Sequence, residues 1–301
     1  MAGEPSILKS ISPHIKDLGG FSVRRSIPQV GMKSIGPWVF FDHFGPANFP
    51  SGEGINVRPH PHIGLATVSY LFEGEIYHRD SLGSDILIHP GAINLMVAGR
   101  GITHSERTRK ELRAKGYKLH GLQLWHALPE KDEEIAPAFY HTPANDIPET
   151  RIDNVKVRVM MGSAYGLTSP VKTFSSILYV EADMEAGSEL EIPKADEVGV
   201  YVVKGQALID GQDSPIFTMS VLSSEARIIT AKTKVRLAII GGATLGKRYI
   251  DWNFVSSRKE RIEKAKEDWK RGRFQTIPGD SEEFIPLPNE TNPRKPSGRN
   301  L

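Results

Sequence analysis

All ten histidines of this 301-residue chain lie between positions 14 and 141, and residues 142–301 hold none. Histidine is the commonest protein metal ligand and titrates near neutral pH, so metal or proton chemistry is expected in the first half of the chain. Two pairs have ligand spacing. His60-Pro61-His62 is an H-x-H. Alternate residues of an extended strand project from one face, so both imidazoles can reach one ion. His104-Ser105-Glu106 sets a histidine and a carboxylate in the same relation. Together they offer three imidazole nitrogens and one carboxylate. That set suits Fe(II), Mn, Ni, Cu or Zn and disfavours magnesium and calcium, which prefer oxygen shells. Four protein ligands on an octahedral ion leave positions open for water, dioxygen or substrate, as in a working site rather than a closed structural one. A single H-x-H also describes two surface histidines; the H-x-E that follows an intervening hairpin favours the metal reading.

Other residues carry two readings each. His78, in the stretch His78-Arg79-Asp80-Ser81-Leu82-Gly83, either stands beside the metal or substrate or braces its turn with Asp80. Asp42 and His43 either line a barrel mouth or stabilise a loop. Arg100, between Gly99 and Gly101, either orients Glu106 or an anionic substrate or stays in its loop. His120 and Gln123 point to opposite faces of one strand, so at most one looks inward. Met96 and Trp125 are expected in the core, and His14, His89, His126 and His141 as surface or packing histidines.

Composition removes several classes of function. No cysteine is present, which excludes disulfides, zinc fingers, iron–sulfur clusters and thiol nucleophiles. Thirty-eight basic residues against 36 acidic ones leave a net charge of +2, too balanced for direct nucleic-acid binding. The N-terminal stretch lacks the apolar run of a signal peptide, and nowhere do enough apolar residues follow one another to span a membrane. A cytoplasmic protein is expected. No nucleotide-binding glycine pattern points to an organic cofactor.

The elements that must position these residues read as strands. Twenty-eight glycines and 21 prolines cut the chain into short apolar runs, the rhythm of an all-β protein. Runs at 65–72, 86–89, 92–97 and 119–125 are followed by others at 155–161, 174–182, 198–203 and 235–240. Tyr70 and Gly74 recur as Tyr201 and Gly205, an offset of 131 that suggests two copies of one β-domain. Ser257 and Glu260 make a capping-box pattern ahead of a helix over 257–271 that Gly272 stops. Ile262, Ala265 and Trp269 share one face of it, and the Lys/Arg cluster along 258–273 reads as its solvated face. The organisation expected is a metal-binding domain over 1–142 and a linker over 143–155. A second domain without metal follows at 156–255, then a helix with its packing segment at 256–280 and an extended or disordered tail at 281–301.

Longer strings carry a resemblance to a known family. Gly54, His60-x-His62 and Gly74 follow the glycine and histidine spacing of the first cupin motif, with Thr67 where the cupin glutamate would stand. In the second motif, Gly91 leads to Ala98-Gly99, four residues instead of two precede His104, and the closing asparagine is absent. These departures resemble the pirin family. So do Arg58-Pro59-His60-Pro61-His62-Ile63-Gly64-Leu65, the His78-to-Gly83 stretch and Ala98-Gly99-Arg100-Gly101-Ile102-Thr103-His104-Ser105-Glu106. Phe40-Phe41-Asp42-His43-Phe44-Gly45-Pro46 and Gly121-Leu122-Gln123-Leu124-Trp125 extend the match over about residues 21–128.

The resemblance implies a bicupin: two antiparallel β-barrels (double-stranded β-helices) with a C-terminal helix and a metal in the first barrel only. Its ligands would be His60, His62, His104 and Glu106, and its ion Fe(II). At the offset of 131, His60 and His62 fall on Glu191 and Pro193, which cannot rebuild the site. Two activities follow from the resemblance. One is a quercetin 2,3-dioxygenase (quercetinase) reaction on a flavonol-like substrate, with Glu106 taking the proton of the 3-hydroxyl. The other is a redox-sensing regulator whose iron tunes affinity for a transcription factor or a metabolic enzyme.

Overall fold

The computed structural model describes residues 4–17 and 21–288. It divides into two compact units: Met1–Lys16 with Arg24–His43 and Thr142–Leu245, and Asp17–Val23 with Phe44–His141 and Gly246–Leu301. Each unit draws on several stretches of chain, whereas the sequence suggests one stretch per domain. Residues 143–155, expected as a linker, form part of the first of these units. They hold the strand Glu149–Ile152, which pairs antiparallel with Val155–Met161.

The histidine-bearing unit is built from a larger and a smaller antiparallel sheet. In the larger, Leu65–Glu73 lies between Ile93–Val97 and Tyr117–Ala127. Its register sets Ser69 opposite both Asn94 and Gln123, and Thr67 opposite both Met96 and Trp125. Residues directly opposite across antiparallel strands share a face, so each of these rows points one way. Leu71, two residues further along the same face, joins Phe44, Phe49, Ile55, Ile76, Ile88 and Leu119 in an apolar cluster that fills the interior between the sheets. The smaller sheet has the order Asn56–His62, Ile102–Arg107, Ile76–Asp80, Asp85–Ile88. It sets His104 opposite His60 on one side and Asp80 on the other, and Glu106 opposite His78.

The other unit repeats this plan. Its central strand Glu197–Lys204 lies between Met219–Leu222 and Val235–Gly242, and Gly205 ends it at φ 84° as Gly74 (φ 94°) ends Leu65–Glu73. The tyrosine–glycine repeat in the sequence marks this correspondence. Thr67, Ser69 and Leu71 correspond by the offset to Val198, Val200 and Val202, which lie in a cluster of buried aliphatic and methionine side chains. Where the histidine unit sets Ser69 opposite Asn94 and Gln123, the other unit sets Val200 opposite Ser220 and Ile239.

The C-terminal helix is Lys259–Lys270, with Ile262, Ala265 and Trp269 packed on Ile63, Phe254 and Leu287. The capping box does not form. Arg258 is the N-cap residue, without a side-chain cap bond. Ser257 instead gives its hydroxyl (3.0 Å) and backbone N–H (2.7 Å) to the buried carboxylate of Glu133, which also pairs with Arg248. Of the tail expected at 281–301, residues 289–301 lie outside the described residues, and those before them are anchored at Ile285 and the buried Leu287. Ile285 donates its N–H to the Pro59 carbonyl (2.8 Å) and accepts the Trp269 indole N–H (3.0 Å). Asp280 is held by Arg107, Arg79 and Ser105 at 2.7–2.9 Å. Among the described residues no helix is long and apolar enough to cross a membrane.

Candidate metal centre

His60 and His62 leave the strand Asn56–His62 on one face, as alternation requires, and His104 meets them from the adjacent strand. Each of the three can bring one ring nitrogen within 4.8 Å of the others. Nε2 of His62 and Nε2 of His104 are 3.1 Å apart, and the His60 and His104 ring centroids 4.3 Å. His60 donates its Nδ1–H to the Arg58 carbonyl at 2.8 Å, which leaves its Nε2 with a lone pair. All three rings are buried. Burial pushes the His60 imidazole down to about 4, and burial together with neighbouring imidazoles pushes His62 and His104 well below the usual range. At pH 7 all three are neutral, the state in which imidazole ligates.

Glu106 is the next inward residue after His104, and its carboxylate lies outside the three-imidazole group. Its Oε1 is buried without a hydrogen-bond partner. Burial raises its carboxyl above the usual range, against the opposing pull of His78 and a hydrogen bond with Ser69. The three converging neutral nitrogens form a donor set that fits a divalent transition-metal ion, and the orphaned carboxylate oxygen of Glu106 stands outside that set.

His78 lies between His104 and Asp80. Its Nδ1 approaches the Nδ1 of His104 (3.5 Å), and its Nε2 faces the Oδ2 of Asp80 at 3.2 Å. Phe139 stacks on its ring at 4.6 Å between centroids. Trp125 meets the His62 ring edge-on at 5.0 Å, so it borders the centre as well as the core. Gln123 looks inward and accepts the Ser69 hydroxyl at 2.9 Å, while His120 packs on Phe72. The structure does not bring Asp42 or Arg100 to the imidazoles. Asp42 belongs to the other unit, clamped by Nε and Nη2 of Arg25 at 2.8 and 2.7 Å. Arg100 sits in a turn between positive-φ Gly99 and Gly101, with an exposed side chain and a backbone bonded to Ile135 and Arg261.

Ser69, Asn94, Phe139 and His141 are the residues that local reading missed. His141 donates Nδ1–H to Asn94 Oδ1 at 2.7 Å, while Asn94 Nδ2 is buried without a partner. Isolated serines and asparagines in apolar strands give little local signal; only the cross-strand register gathers them into a polar row beneath the imidazoles.

The family model for pirin matches residues 20–126, and that for the pirin C-terminal cupin domain matches residues 179–275. The chain belongs to the pirin family. A pirin-like protein of Caulobacter vibrioides is 44% identical over 91% of this chain and 96% of its own length. The crystal structure of quercetin 2,3-dioxygenase from Acinetobacter baumannii superimposes with a TM-score of 0.86 at 32% identity, covering 95% of this chain and 98% of that one. A bacterial pirin from Escherichia coli, crystallised with nickel(II), shares the fold at a TM-score of 0.62 and 16% identity over 78% of this chain and 99% of that one. Membership in the pirin family makes this a bicupin, with the imidazole cluster in its N-terminal cupin domain.

Proposed function

We propose that the protein is a metal-dependent dioxygenase that opens the central ring of a flavonol such as quercetin. Both oxygen atoms of O2 enter the organic product and carbon monoxide leaves. The observation that carries this reading is the set of three buried, neutral imidazoles beside a carboxylate oxygen that nothing in the protein satisfies. His60, His62, His104 and Glu106 would hold the ion, with Fe(II) as the native metal. Such an ion supplies Lewis acidity toward a deprotonated hydroxyl and one-electron chemistry toward dioxygen. The similarity to a quercetin 2,3-dioxygenase over nearly the whole chain supports this substrate class.

The protein's own groups divide the remaining work. Glu106 would take the proton of the substrate 3-hydroxyl when its carboxylate is displaced from the ion, since coordination to a divalent ion lowers its basicity. Trp125, Met96 and Phe139 supply apolar surface for a planar aromatic, and Asn94 Nδ2 and Gln123 offer amide groups to its hydroxyls. The second domain has Val200 and Ile239 where this row has Ser69 and Gln123, and Glu191 and Pro193 where the first has His60 and His62, so that domain serves as scaffold.

Aerobic turnover of quercetin by Fe(II)-reconstituted protein tests the reading, with substrate loss and carbon monoxide both followed. Expected is stoichiometric carbon monoxide, abolished in His62→Ala. A protein that carries one ion per chain yet consumes no quercetin contradicts it.

A further inference from the structure

The three residues His104, His78 and Asp80 form a chain of ring and carboxyl contacts. His104 Nδ1 and His78 Nδ1 are 3.5 Å apart, and His78 Nε2 and Asp80 Oδ2 are 3.2 Å apart. All three residues are at most 2% exposed, so no outside solvent replaces these partners. A carboxylate can only accept. A neutral His78 therefore keeps its one proton on Nε2, toward Asp80, and its Nδ1 is an acceptor. The facing Nδ1 of His104 must then be the donor. The lone pair of His104 is left on Nε2, the atom that faces His62 Nε2.

From this chain we infer that Asp80, acting through His78, fixes the tautomer that makes His104 a competent metal ligand. The inference rests on the metal centre proposed above. Asp80 and His78 are positioning residues here: neither touches the ion. The general precedent is the carboxylate that orients a ligating imidazole, with a second imidazole inserted between the two.

A second observation makes the inference sharp. The other oxygen of Asp80, Oδ1, accepts the backbone N–H groups of Leu82 (2.9 Å) and Ser84 (3.1 Å). An asparagine at this position keeps those two bonds only by turning its oxygen toward the loop, which turns its NH2 toward His78. An NH2 group can only donate. His78 then has to accept on Nε2 and carry its proton on Nδ1, and His104 has to accept on Nδ1 and carry its proton on Nε2. A proton there blocks ligation. Asp80→Asn thus disables a ligand it does not touch, while keeping the turn that Asp80 builds.

Long-range 1H–15N spectra of metal-free protein labelled with 15N-histidine report the tautomers directly. Expected in the parent protein are Nδ1–H on His104 and Nε2–H on His78, both reversed in Asp80→Asn. Zn2+ titrated in competition with a chromophoric chelator should bind that variant about ten- to a hundredfold more weakly, with the thermal midpoint of the metal-free protein little changed. If Asp80→Asn does not fold, His78→Phe keeps the turn and the stack on Phe139 but removes the acceptor, and His104 should then populate both tautomers. Nε2–H on His104 in the parent, a doubly protonated His78, or unweakened Zn2+ binding by Asp80→Asn would overturn the inference. A parent protein that shows the expected tautomers but binds no Zn2+ supports the proton chain and overturns the metal centre instead.

Discussion

His62 illustrates how one side chain serves the fold and the site together. Its ring is buried between His104 and Trp125, so its loss removes a ligand and opens a gap against an indole edge. His62→Ala is expected to abolish stoichiometric metal binding and to cost the metal-free protein about 1–3 kcal/mol, measured by chemical denaturation. His126 offers a cleaner reading of protonation because it is not a proposed ligand. Burial holds its imidazole down at about 4, against 6.5 when exposed. The unfolded chain therefore binds a proton that the folded chain refuses. The resulting penalty is absent above about pH 6.5, grows as pH falls, and is complete below about 4, where it amounts to about 3 kcal/mol. Replacing His126 with Gln should flatten the loss of stability of metal-free protein between pH 7 and pH 4.5 relative to the parent. An unchanged pH slope would show that His126 contributes nothing to it.

At the scale of elements, the site depends on how the strand Asn56–His62 turns into Leu65–Glu73. Gly64 makes that turn at φ 67°, and a Cβ there would overlap the Val255 carbonyl oxygen. Gly64→Ala adds a clash to a strained backbone and is expected to cost more than about 2 kcal/mol. Lowered metal occupancy should accompany the lower thermal midpoint, because His62 leaves the chain two residues earlier. What was legible in the sequence follows the same logic of distance along the chain. H-x-H and H-x-E declare themselves because two residues two apart on a strand need nothing else to share a face. The polar row Asn94–Ser69–Gln123 depends on the register between three strands, and no local pattern encodes register. The capping box at Ser257 was a sound local pattern that a buried Glu133, more than a hundred residues away in sequence, outcompeted. The linker reading of 143–155 failed for a related reason: its polar, proline-rich composition conceals a strand that only its partner Val155–Met161 makes stable.

For the molecule as a whole, the duplicated plan was legible and the division between its halves was not. Arg24–His43 and Thr142–Leu245 form one unit although the chain between them forms the other, and apolar runs carry no mark of the core they join. Asymmetry between the halves carries the function. One interior keeps three imidazoles and the row Asn94–Ser69–Gln123, and the other sets Val200 between Ser220 and Ile239, with Glu191 and Pro193 at the places of His60 and His62. The C-terminal segment closes the histidine unit by its bonds to Pro59, next to His60, and by the Asp280 cluster on Arg79 and Arg107. Asp280→Ala leaves both guanidinium groups without that partner. It is expected to lower stability by about 1–3 kcal/mol and to loosen residues 279–288 in hydrogen exchange.

The most direct test of a single working centre is the metal content of the full chain after anaerobic loading with Fe(II) and removal of excess ion. One ion per chain, lost in His62→Ala and retained in a variant with Glu191 replaced by Gln, is the predicted result. Two ions per chain, or full occupancy in His62→Ala, would contradict the account.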